Sequence, residues 1–257
     1  MKSHPPITIK TGRYYLTDRI RDVVNFWTTS QSEGLRPPPV QKPVSPDSRI
    51  ITLPNRETWT VPPCDLQTAI AYRESHRQFT AEPLSLDELA FLLWATQGVR
   101  QELHEAAVLR TVPSAGCRHP FETYLAILRV DSLENGIYRY LPLDHSLVFV
   151  KAVDKLSGHL TAATRGQSFT GQAAVTFLWS AIPDRTEWRY AEASYKVIAL
   201  DAGHVCQNLY LACEAIGAGT CAIAAYEQTL VDLLLGVDGD EEFCVYIAPV
   251  GKVTKKL

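Results

Sequence analysis

Three residues with hydrogen-bond donors, Arg73, Ser75 and Arg77, alternate along a short segment of the chain. In an extended backbone every second side chain points the same way, so these three would converge on one point. A guanidinium donates in a planar fork that matches phosphate oxygens, so this spacing fits a phosphate clamp. The alternative is a solvated, charged turn in which Glu74 pairs with the arginines.

The segment Pro113-Ser114-Ala115-Gly116 is a second candidate, because its small residues let a backbone approach a flat ligand closely. A strand-like run follows it from residue 121, so an ordinary strand entry is the alternative. A hydrolytic role for Ser114 would need a strand-to-helix elbow with glycine on both sides. Glycine stands on one side only and a strand follows, which disfavours a serine hydrolase.

These segments resemble, in the same order, parts of the nitroreductase family in its SagB-type branch. The matching segments are residues 73–77, 113–116, 195–217 and 219–226, and the resemblance covers roughly residues 65–251. It implies FMN-dependent redox chemistry on an α+β sandwich, with a central, mostly antiparallel sheet packed by helices. It also implies a homodimer with an FMN site at its interface.

The resemblance also implies roles for particular residues. Arg73, Ser75 and Arg77 would hold the FMN phosphate and ribityl chain, and the segment 113–116 would reach the flavin from the second protomer. A loop would place its backbone N–H groups at the reactive edge of the flavin. That loop contains Cys221, Ala222, Ile223 and Ala224, the last at a position where the family often has glycine. Lys252 resembles a basic residue that helps to hold the phosphate, although a solvated tail lysine explains it equally well.

Arg189 and Tyr190 mark a departure from the branch. Members that oxidise azolines to azoles carry Lys-Tyr at the corresponding place. A desolvated lysine can give up its proton near neutrality, whereas arginine stays charged and cannot act as a base. Azoline dehydrogenation is therefore doubtful, and Arg189 is a candidate for binding an anionic substrate. Tyr190 is either a proton donor or a core tyrosine.

The predicted function is hydride transfer through FMN between a reduced nicotinamide, NAD(P)H, or an organic substrate and an acceptor. The substrate would be a small molecule or a peptide. Two alternatives stay open: an azoline dehydrogenase acting on a modified peptide, and an inert flavin-fold scaffold for a partner enzyme.

The elements that must position these residues follow from capping and periodicity. Asp65 predicts the start of a helix through Tyr72, and Ser85 with Glu88 forms a capping box for a helix that Gly98 ends. Residues 100–109 suggest a polar loop. Ser194 predicts the cap of a long helix through Ile216. The other predicted elements are strands at 121–130, 137–141, 146–153, 173–182, 219–224 and 243–249, and helices at 154–165 and 228–235.

The first 63 residues form a predicted appendage to a nitroreductase-like FMN-binding domain at 64–257. Within it, helical spacing and a possible cap at Thr17 predict a helix from Leu16 to Thr29. Residues 30–63 are rich in proline and polar residues, and we expect an extended arm on the body of the protein.

Composition limits the function classes. A formal net charge of -3 gives no general attraction to nucleic acid or anionic membranes. The six cysteines show no Cys-x-x-Cys pair, so no metal site is expected, and reduced thiols suit a cytoplasmic protein. The apolar run at 197–216 carries Asp201, His204 and Glu214, so a buried helix fits better than a membrane span. Asp201 and His204 share a helix face, and we expect a structural hydrogen bond between them.

Overall fold

The computed structural model describes residues 8–104 and 107–254. In these ranges the helices are α1 (Ile9–Leu16), α2 (Leu66–Tyr72), α3 (Leu86–Gln97), α4 (Leu156–Ala163), α5 (Asp184–Tyr190), α6 (Ser194–Ala215) and α7 (Gln228–Leu235). The strands are β1 (Ile50–Thr52), β2 (Val99–His104), β3 (Ala107–Arg110), β4 (Phe121–Ile127), β5 (Gly136–Leu141), β6 (Ser146–Lys151), β7 (Val175–Ala181), β8 (Ala218–Thr220) and β9 (Phe243–Lys252).

One seven-stranded sheet organises the molecule, in the order β1-β6-β5-β4-β7-β9-β8. Every ladder within it is antiparallel. β4 and β7 are buried along their whole length, which requires cover on both faces of the sheet. The predicted α+β sandwich with a mostly antiparallel sheet is confirmed.

Alternate side chains of the central strands enter two separate hydrophobic cores. Leu125 and Ile127 point to the core that contains α3 and α6, whereas Tyr124 and Ala126 point to the core that contains α4 and α7. This is the two-residue period of a strand covered by helices on both sides. The strands predicted at 121–130, 137–141 and 146–153 correspond to β4, β5 and β6.

Helix α6 is the long helix that both candidate segments contact. It ends before Gly217, whose φ of 62° lies in the left-handed region that favours glycine. Its start differs from the prediction: Ala193 is the N-cap, and Ser194 lies in the first turn with a buried hydroxyl that makes no hydrogen bond to the described residues. No helix of the described residues has both the length and the hydrophobicity to cross a membrane.

The predicted helix at 16–29 was wrong. Thr8 caps α1, and Thr17 ends it, because the Thr17 amide bonds to the carbonyls of Arg13 and Tyr14. The apolar residues that suggested a helix further along do not face a core, and Val23 is 71% exposed. Short 3-10 turns at Arg19–Asp22 and Phe26–Thr28 take the place of the helix.

The segment that follows, to residue 63, runs over the body of the protein and joins the sheet at β1, which pairs with β6. The predicted polar loop at 100–109 was wrong as well: β2 and β3 form an antiparallel hairpin there. The caps of α2 and α3 are as predicted, with Asp65 accepting from the Thr68 amide and Ser85 from the Glu88 amide. The strand expected at 219–224 is shorter and lies at β8.

Candidate functional site

The segment after α2 is fixed against the edge strand β8. Ser75 forms a parallel bridge with Thr220, and the His76 amide donates to the Thr220 carbonyl at 2.9 Å. A Cβ at Gly219 would lie 2.4 Å from the His76 ring, so only glycine permits this approach. The backbone of the predicted clamp is therefore held in place without any ligand.

Tyr210 on α6 connects the predicted clamp to the loop after β8. The Arg73 guanidinium lies 5.4 Å from the Tyr210 ring centroid, and the Ser75 hydroxyl is 3.1 Å from the Tyr210 hydroxyl. The Ala222 amide donates to the same hydroxyl at 2.8 Å. Arg73 and Ser75 therefore face the same way, as the alternating spacing predicts, and they adjoin the loop.

The positive charges of the predicted clamp have no carboxylate partner within the described ranges. Arg73 contacts the tyrosine ring, and Arg77 is exposed. Glu74, the partner expected for a solvated turn, lies instead 3.7 Å from His76 Nε2. Two guanidinium groups at this place thus remain available to an anion.

The loop at 221–224 has both occupied and available amides. The Ala222 amide donates to Tyr210, and the Ile223 amide donates to the Ile247 carbonyl at 2.8 Å. Ala224 and Ala225 are exposed, and their amides make no hydrogen bond to any described residue. These two amides are the donors that the loop can offer to a ligand.

Lys252 is not a solvated tail lysine. Its side chain is 13% exposed, and its Nζ lies 2.5 Å from Glu88 Oε1 and 2.6 Å from the Ile216 carbonyl oxygen. It ties the end of β9 to α3 and to the end of α6. Its predicted part in holding a phosphate stays a prediction.

The segment 113–116 is attached to α6 through Asp201. The Ser114 hydroxyl donates to Asp201 Oδ2 at 2.6 Å, and the Ala115 amide lies 3.2 Å from the same oxygen. The His119 amide donates to the Ser114 hydroxyl at 2.9 Å. Ser114 therefore contacts a carboxylate and an amide, and its hydroxyl is used in holding the turn.

Burial raises the pKa of Asp201 above its usual value, because desolvation outweighs the hydrogen bonds from Ser114 and Ala115. The expected hydrogen bond between Asp201 and His204 is absent, since His204 Nδ1 is 4.0 Å from Asp201 Oδ1 and its side chain is half exposed. Asp201 holds the turn instead.

The turn itself has an unusual backbone. Gly116, Cys117 and His119 have φ values of 59°, 56° and 45°, all in the left-handed region. Two of these residues are not glycine, and such conformations persist where the surroundings over-determine them. The bonds to Asp201 and the buried His119 ring supply that constraint.

Arg189 and Tyr190 lie directly over this turn. A Cβ at Gly116 would be 2.7 Å from Arg189 Cδ and 2.8 Å from the Tyr190 hydroxyl. Arg189 is exposed and Tyr190 is half-buried. The structure therefore brings these two residues to the segment 113–116.

A buried ionic cluster around Glu122 holds α5, the helix that carries Arg189, against β4. Glu122 on β4 accepts from Arg139 Nη1 at 2.8 Å and from Arg185 Nη2 at 2.5 Å. It also accepts from the Lys42 amide of the N-terminal arm at 2.9 Å. The two guanidinium charges lower the pKa of Glu122 despite its burial. One carboxylate thus joins the arm, β5 and the helix α5 that carries Arg189.

The two halves of the candidate site lie on opposite sides of α6. Asp201 and Tyr210 are nine residues apart, which corresponds to about 13.5 Å along the axis and half a turn around it. Ser114 is attached to the first residue, and Arg73 and Ser75 contact the second. The two segments are therefore attached to α6 at separate places, about two and a half turns apart.

Sequence reasoning missed Tyr210, Asp201 as an anchor, and the cluster around Glu122. Tyr210 and Asp201 lie inside the segment that carries the resemblance, but no spacing rule indicates their contacts. The described residues contain no group of histidine, cysteine and carboxylate side chains arranged for a metal.

The sequence of this chain is similar to a family model and to the sequences of known proteins. Residues 70–252 match the sequence model of the Nitroreductase family. A protein of Methanocaldococcus jannaschii, provisionally described as a nitroreductase, is 32% identical over 188 residues, which is 73% of this chain and 90% of that protein. The microcin B17-processing protein McbC of Escherichia coli is 24% identical over 137 residues, 51% of this chain and 50% of its own length.

Solved structures show the same fold. A protein of Ralstonia eutropha, provisionally described as a nitroreductase, has a TM-score of 0.66 and 27% identity, and the match covers 87% of this chain and 97% of that one. A provisionally described nitroreductase from Exiguobacterium sibiricum in complex with FMN has a TM-score of 0.54 and 14% identity, and covers 75% of this chain and 90% of that one. At that identity the second likeness concerns the fold alone.

Proposed function

Because the chain belongs to the nitroreductase family, we propose that it is an oxidoreductase that binds FMN between two copies of itself. The observation that carries the proposal is the pair of guanidinium groups beside Tyr210 that have no carboxylate partner among the described residues. Planar cationic donors next to a hydroxyl and an aromatic ring match the phosphate and ribityl parts of FMN. The residues present therefore fit the cofactor that members of this family generally bind.

FMN bound at this site would supply the chemistry of hydride transfer between two substrates. The residues of the chain bind and orient. Arg73, Ser75 and Arg77 hold the phosphate end, and the available amides of Ala224 and Ala225 donate to a ring acceptor. Backbone donors at that position favour negative charge on the ring, which is how a protein tunes a flavin.

The positions of the two half-sites support a homodimer. Along α6, the exposed positions Leu200, Gly203, His204 and Gln207 form a stripe on a helix that is otherwise largely buried. Two α6 helices packed antiparallel about a twofold axis midway between residues 201 and 210 place position 201 of one helix at the same level along the axis as position 210 of the other. Each interface site then takes the Arg73 segment from one chain and the 113–116 segment from its partner.

Arg189 and Tyr190 complete the proposal on the substrate side, because they lie over the turn that reaches the flavin. Arg189 has a permanent positive charge and is exposed, which suits it to binding an anionic substrate and not to accepting a proton. The Tyr190 hydroxyl is the group there that can donate a proton. We propose a reduced nicotinamide as the electron donor.

The similarity to McbC favours a second candidate, an azoline dehydrogenase acting on a modified peptide. The arginine at position 189 stands against it, because that reaction in the branch is associated with a lysine at this place. An inert scaffold that retains the fold is the remaining alternative.

Reconstitution separates these candidates. The purified protein should release FMN, and not FAD, on denaturation, and the apoprotein should regain one FMN per chain when it is incubated with an excess. The loaded protein should then oxidise NADH or NADPH with a quinone or nitroarene acceptor. No flavin after incubation with excess FMN refutes the proposal, whereas bound FMN without turnover of either nicotinamide or of a thiazoline peptide favours the scaffold. Turnover of a thiazoline peptide alone favours the second candidate.

A further inference from the structure

A cavity of about 610 Å³ lies between the arm, α3 and α6. The segment 56–66 forms one wall, Phe91, Trp94 and Ala95 of α3 form the floor, and the second half of α6 closes the far side. Its volume is within the range of small-molecule sites in proteins.

Aromatic side chains shape this cavity. The Trp59 ring centroid lies 5.8 Å from that of Phe91 and 5.7 Å from that of Trp94, both edge-to-face. The Trp59 Nε1 donates to the Pro54 carbonyl at 2.8 Å, so the orientation of the indole is fixed by the arm itself. Fixed aromatic rings of this kind provide a flat, apolar wall against which a planar group can stack.

The charged side chains in the lining of the cavity are positive. Its lining contains Arg56 and Arg100 and no aspartate or glutamate among the described residues. The Arg56 guanidinium lies 4.7 Å from the Trp94 ring centroid, and neither arginine forms an ion pair with any described residue. Two cations beside an aromatic wall are complementary to an aromatic ring that carries an anionic group.

Polar groups for orientation are also present. Asn208 uses its Nδ2 to donate to the Ala95 carbonyl at 2.8 Å, and its amide oxygen forms no hydrogen bond within the described parts of the chain. The Thr111 hydroxyl donates to the Trp94 carbonyl at 2.8 Å, so it retains acceptor capacity. A few fixed polar groups in an aromatic cavity are what orients a small ligand.

This cavity is separate from the proposed FMN site. None of the residues assigned to FMN contributes to its lining, neither the segment 73–77 nor 113–116 nor the loop 221–224 nor Lys252. The lining residues of α6 begin at Asn208 and lie beside the stripe proposed to meet the second copy. We propose that the cavity is a second binding site, which takes a planar aromatic carboxylate while FMN is bound.

Calorimetric titration of the FMN-loaded protein with 2-naphthoate tests the proposal, and it does not require turnover. We expect binding with a Kd on the order of 0.1 mM, a value typical of a ligand of this size. The neutral analogue 2-naphthamide should bind at least about fivefold more weakly, because it lacks the charge that two arginines recognise. The same titration on apoprotein should give the same Kd within about twofold, since the two sites are separate.

The variant with Arg56→Gln and Arg100→Gln should bind 2-naphthoate at least about tenfold more weakly and 2-naphthamide unchanged. Both arginines are exposed, so its thermal unfolding should match that of the unaltered protein. Arg165→Gln is the matched control: Arg165 is an exposed arginine outside the cavity, paired with Glu227 at 3.1 Å. It should leave both ligands unaffected.

Four results would overturn the proposal. Absence of naphthoate binding would do so, and so would equal binding to the double variant. Competition between naphthoate and FMN would mean that the cavity is part of the flavin site, and binding that occurs only when the protein is diluted to monomers would mean that a second copy fills it. If the protein takes up no FMN, titration of the protein as purified still decides the question, so failure of the proposed function is read separately.

Discussion

At the scale of single residues, Arg73 is informative because it contacts an aromatic ring where a surface arginine would commonly contact a carboxylate. Its charge is therefore not neutralised by any described residue. Arg73→Ala or Arg77→Ala should weaken FMN binding by about 1.5–3 kcal/mol each, the range for a charge-assisted hydrogen bond. Fluorescence titration of the apoproteins with FMN measures this.

Arg49→Ala is the control for these variants, because Arg49 is also an exposed arginine but pairs with Glu134, and neither residue contacts the segment 73–77 or the loop at 221–224 among the described residues. It should leave FMN affinity unchanged. If all three variants bind FMN equally well, Arg73 and Arg77 are ordinary surface charges and the phosphate lies elsewhere.

His119 is a titratable residue whose state is fixed by burial. Desolvation, with the nearby Arg110 charge as the next cause, lowers the pKa of His119 to about 3 from its ordinary value of 6.5. Its Nε2 is 3.1 Å from the Val108 carbonyl, an acceptor, so the neutral ring carries its proton on Nε2. The folded protein therefore holds a neutral imidazole through the whole mildly acidic range.

The consequence for stability has a definite sign. Below pH 6.5 the imidazole of His119 binds a proton in the unfolded chain but stays neutral in the folded protein. The contribution of the neutral His119 ring to the free energy of unfolding is therefore complete above pH 6.5 and is lost as the pH falls towards 3. His119→Gln keeps a donor for Val108 and removes the titration. Between pH 6 and 4.5 the free energy of unfolding of the unaltered protein should fall by about 1.4 kcal/mol per pH unit more than that of the variant.

Urea unfolding at several pH values measures both slopes. If the free energy of unfolding falls equally with pH in both proteins, His119 takes up its proton in the folded protein as readily as in the unfolded chain, and burial does not lower its pKa. The comparison is internal, because the carboxylates that titrate in this range are the same in both proteins.

At the scale of elements, Glu122 holds three parts of the chain together: the arm through Lys42, β5 through Arg139 and α5 through Arg185. Glu122→Gln keeps the shape of the side chain and removes its charge. Two buried guanidinium groups then lack a counter-charge, and we expect a loss of about 3–5 kcal/mol in the free energy of unfolding.

The control is Glu134→Gln, since Glu134 pairs with Arg49 at the surface, where both side chains are about half exposed. An exposed pair of this kind contributes at most about 1 kcal/mol. Chemical denaturation of both variants gives the comparison. Equal, small losses would show that solvent reaches the Glu122 cluster and that the arm is held by other contacts.

Capping residues in the sequence predicted the helices that begin at a side-chain cap. The helix α3 was foreseen from Ser85 and Glu88, which bond each other's backbone, and α2 from Asp65. The helix expected at 16–29 failed, because its apolar spacing reflects exposed residues such as Val23 and not a packed face. The hairpin of β2 and β3 was missed because β2 is polar, β3 has only four residues, and the pair lies outside the main sheet.

The contacts that organise the candidate site were not foreseeable from spacing. Ser114 and Asp201 are 87 residues apart, and Ser75 and Tyr210 are 135 apart, so only the folded chain brings each pair together. The alternation of residues 73, 75 and 77 predicted that their side chains face one way. It did not predict that a tyrosine would be the residue they face.

At the scale of the whole molecule, Gly203 tests the proposed dimer. It is exposed on α6, and a Cβ added there would have no atom of a described residue within 4 Å. Gly203→Arg should leave the fold intact and improve helix propensity by about 0.5–1 kcal/mol. If the α6 stripes meet across a twofold axis, the two added charges face each other, and the protein should elute as a monomer and lose FMN.

Gly158→Arg provides the matched control. Gly158 is also an exposed glycine inside a helix, α4, where an added Cβ would likewise meet no atom within 4 Å, and it lies in a different part of the fold. Its variant should remain dimeric and bind FMN. Size-exclusion chromatography with light scattering gives the masses of both variants. If the Gly203→Arg protein is still a dimer, α6 does not form the interface.

The way the arm is held has a consequence for the order in which this protein can be assembled during translation. Lys42 contacts the buried Glu242, 200 residues further along, and Arg110 donates to the Val40 carbonyl. At ribosomal rates of about 5–20 residues per second, the arm waits on the order of 10–40 s before its last partner has been made. During that time its prolines and exposed backbone are accessible to chaperones and proteases. Docking of the arm is thus complete only after Glu242, the residue directly before β9, has been made, although Glu122 and Arg139 can hold the arm earlier.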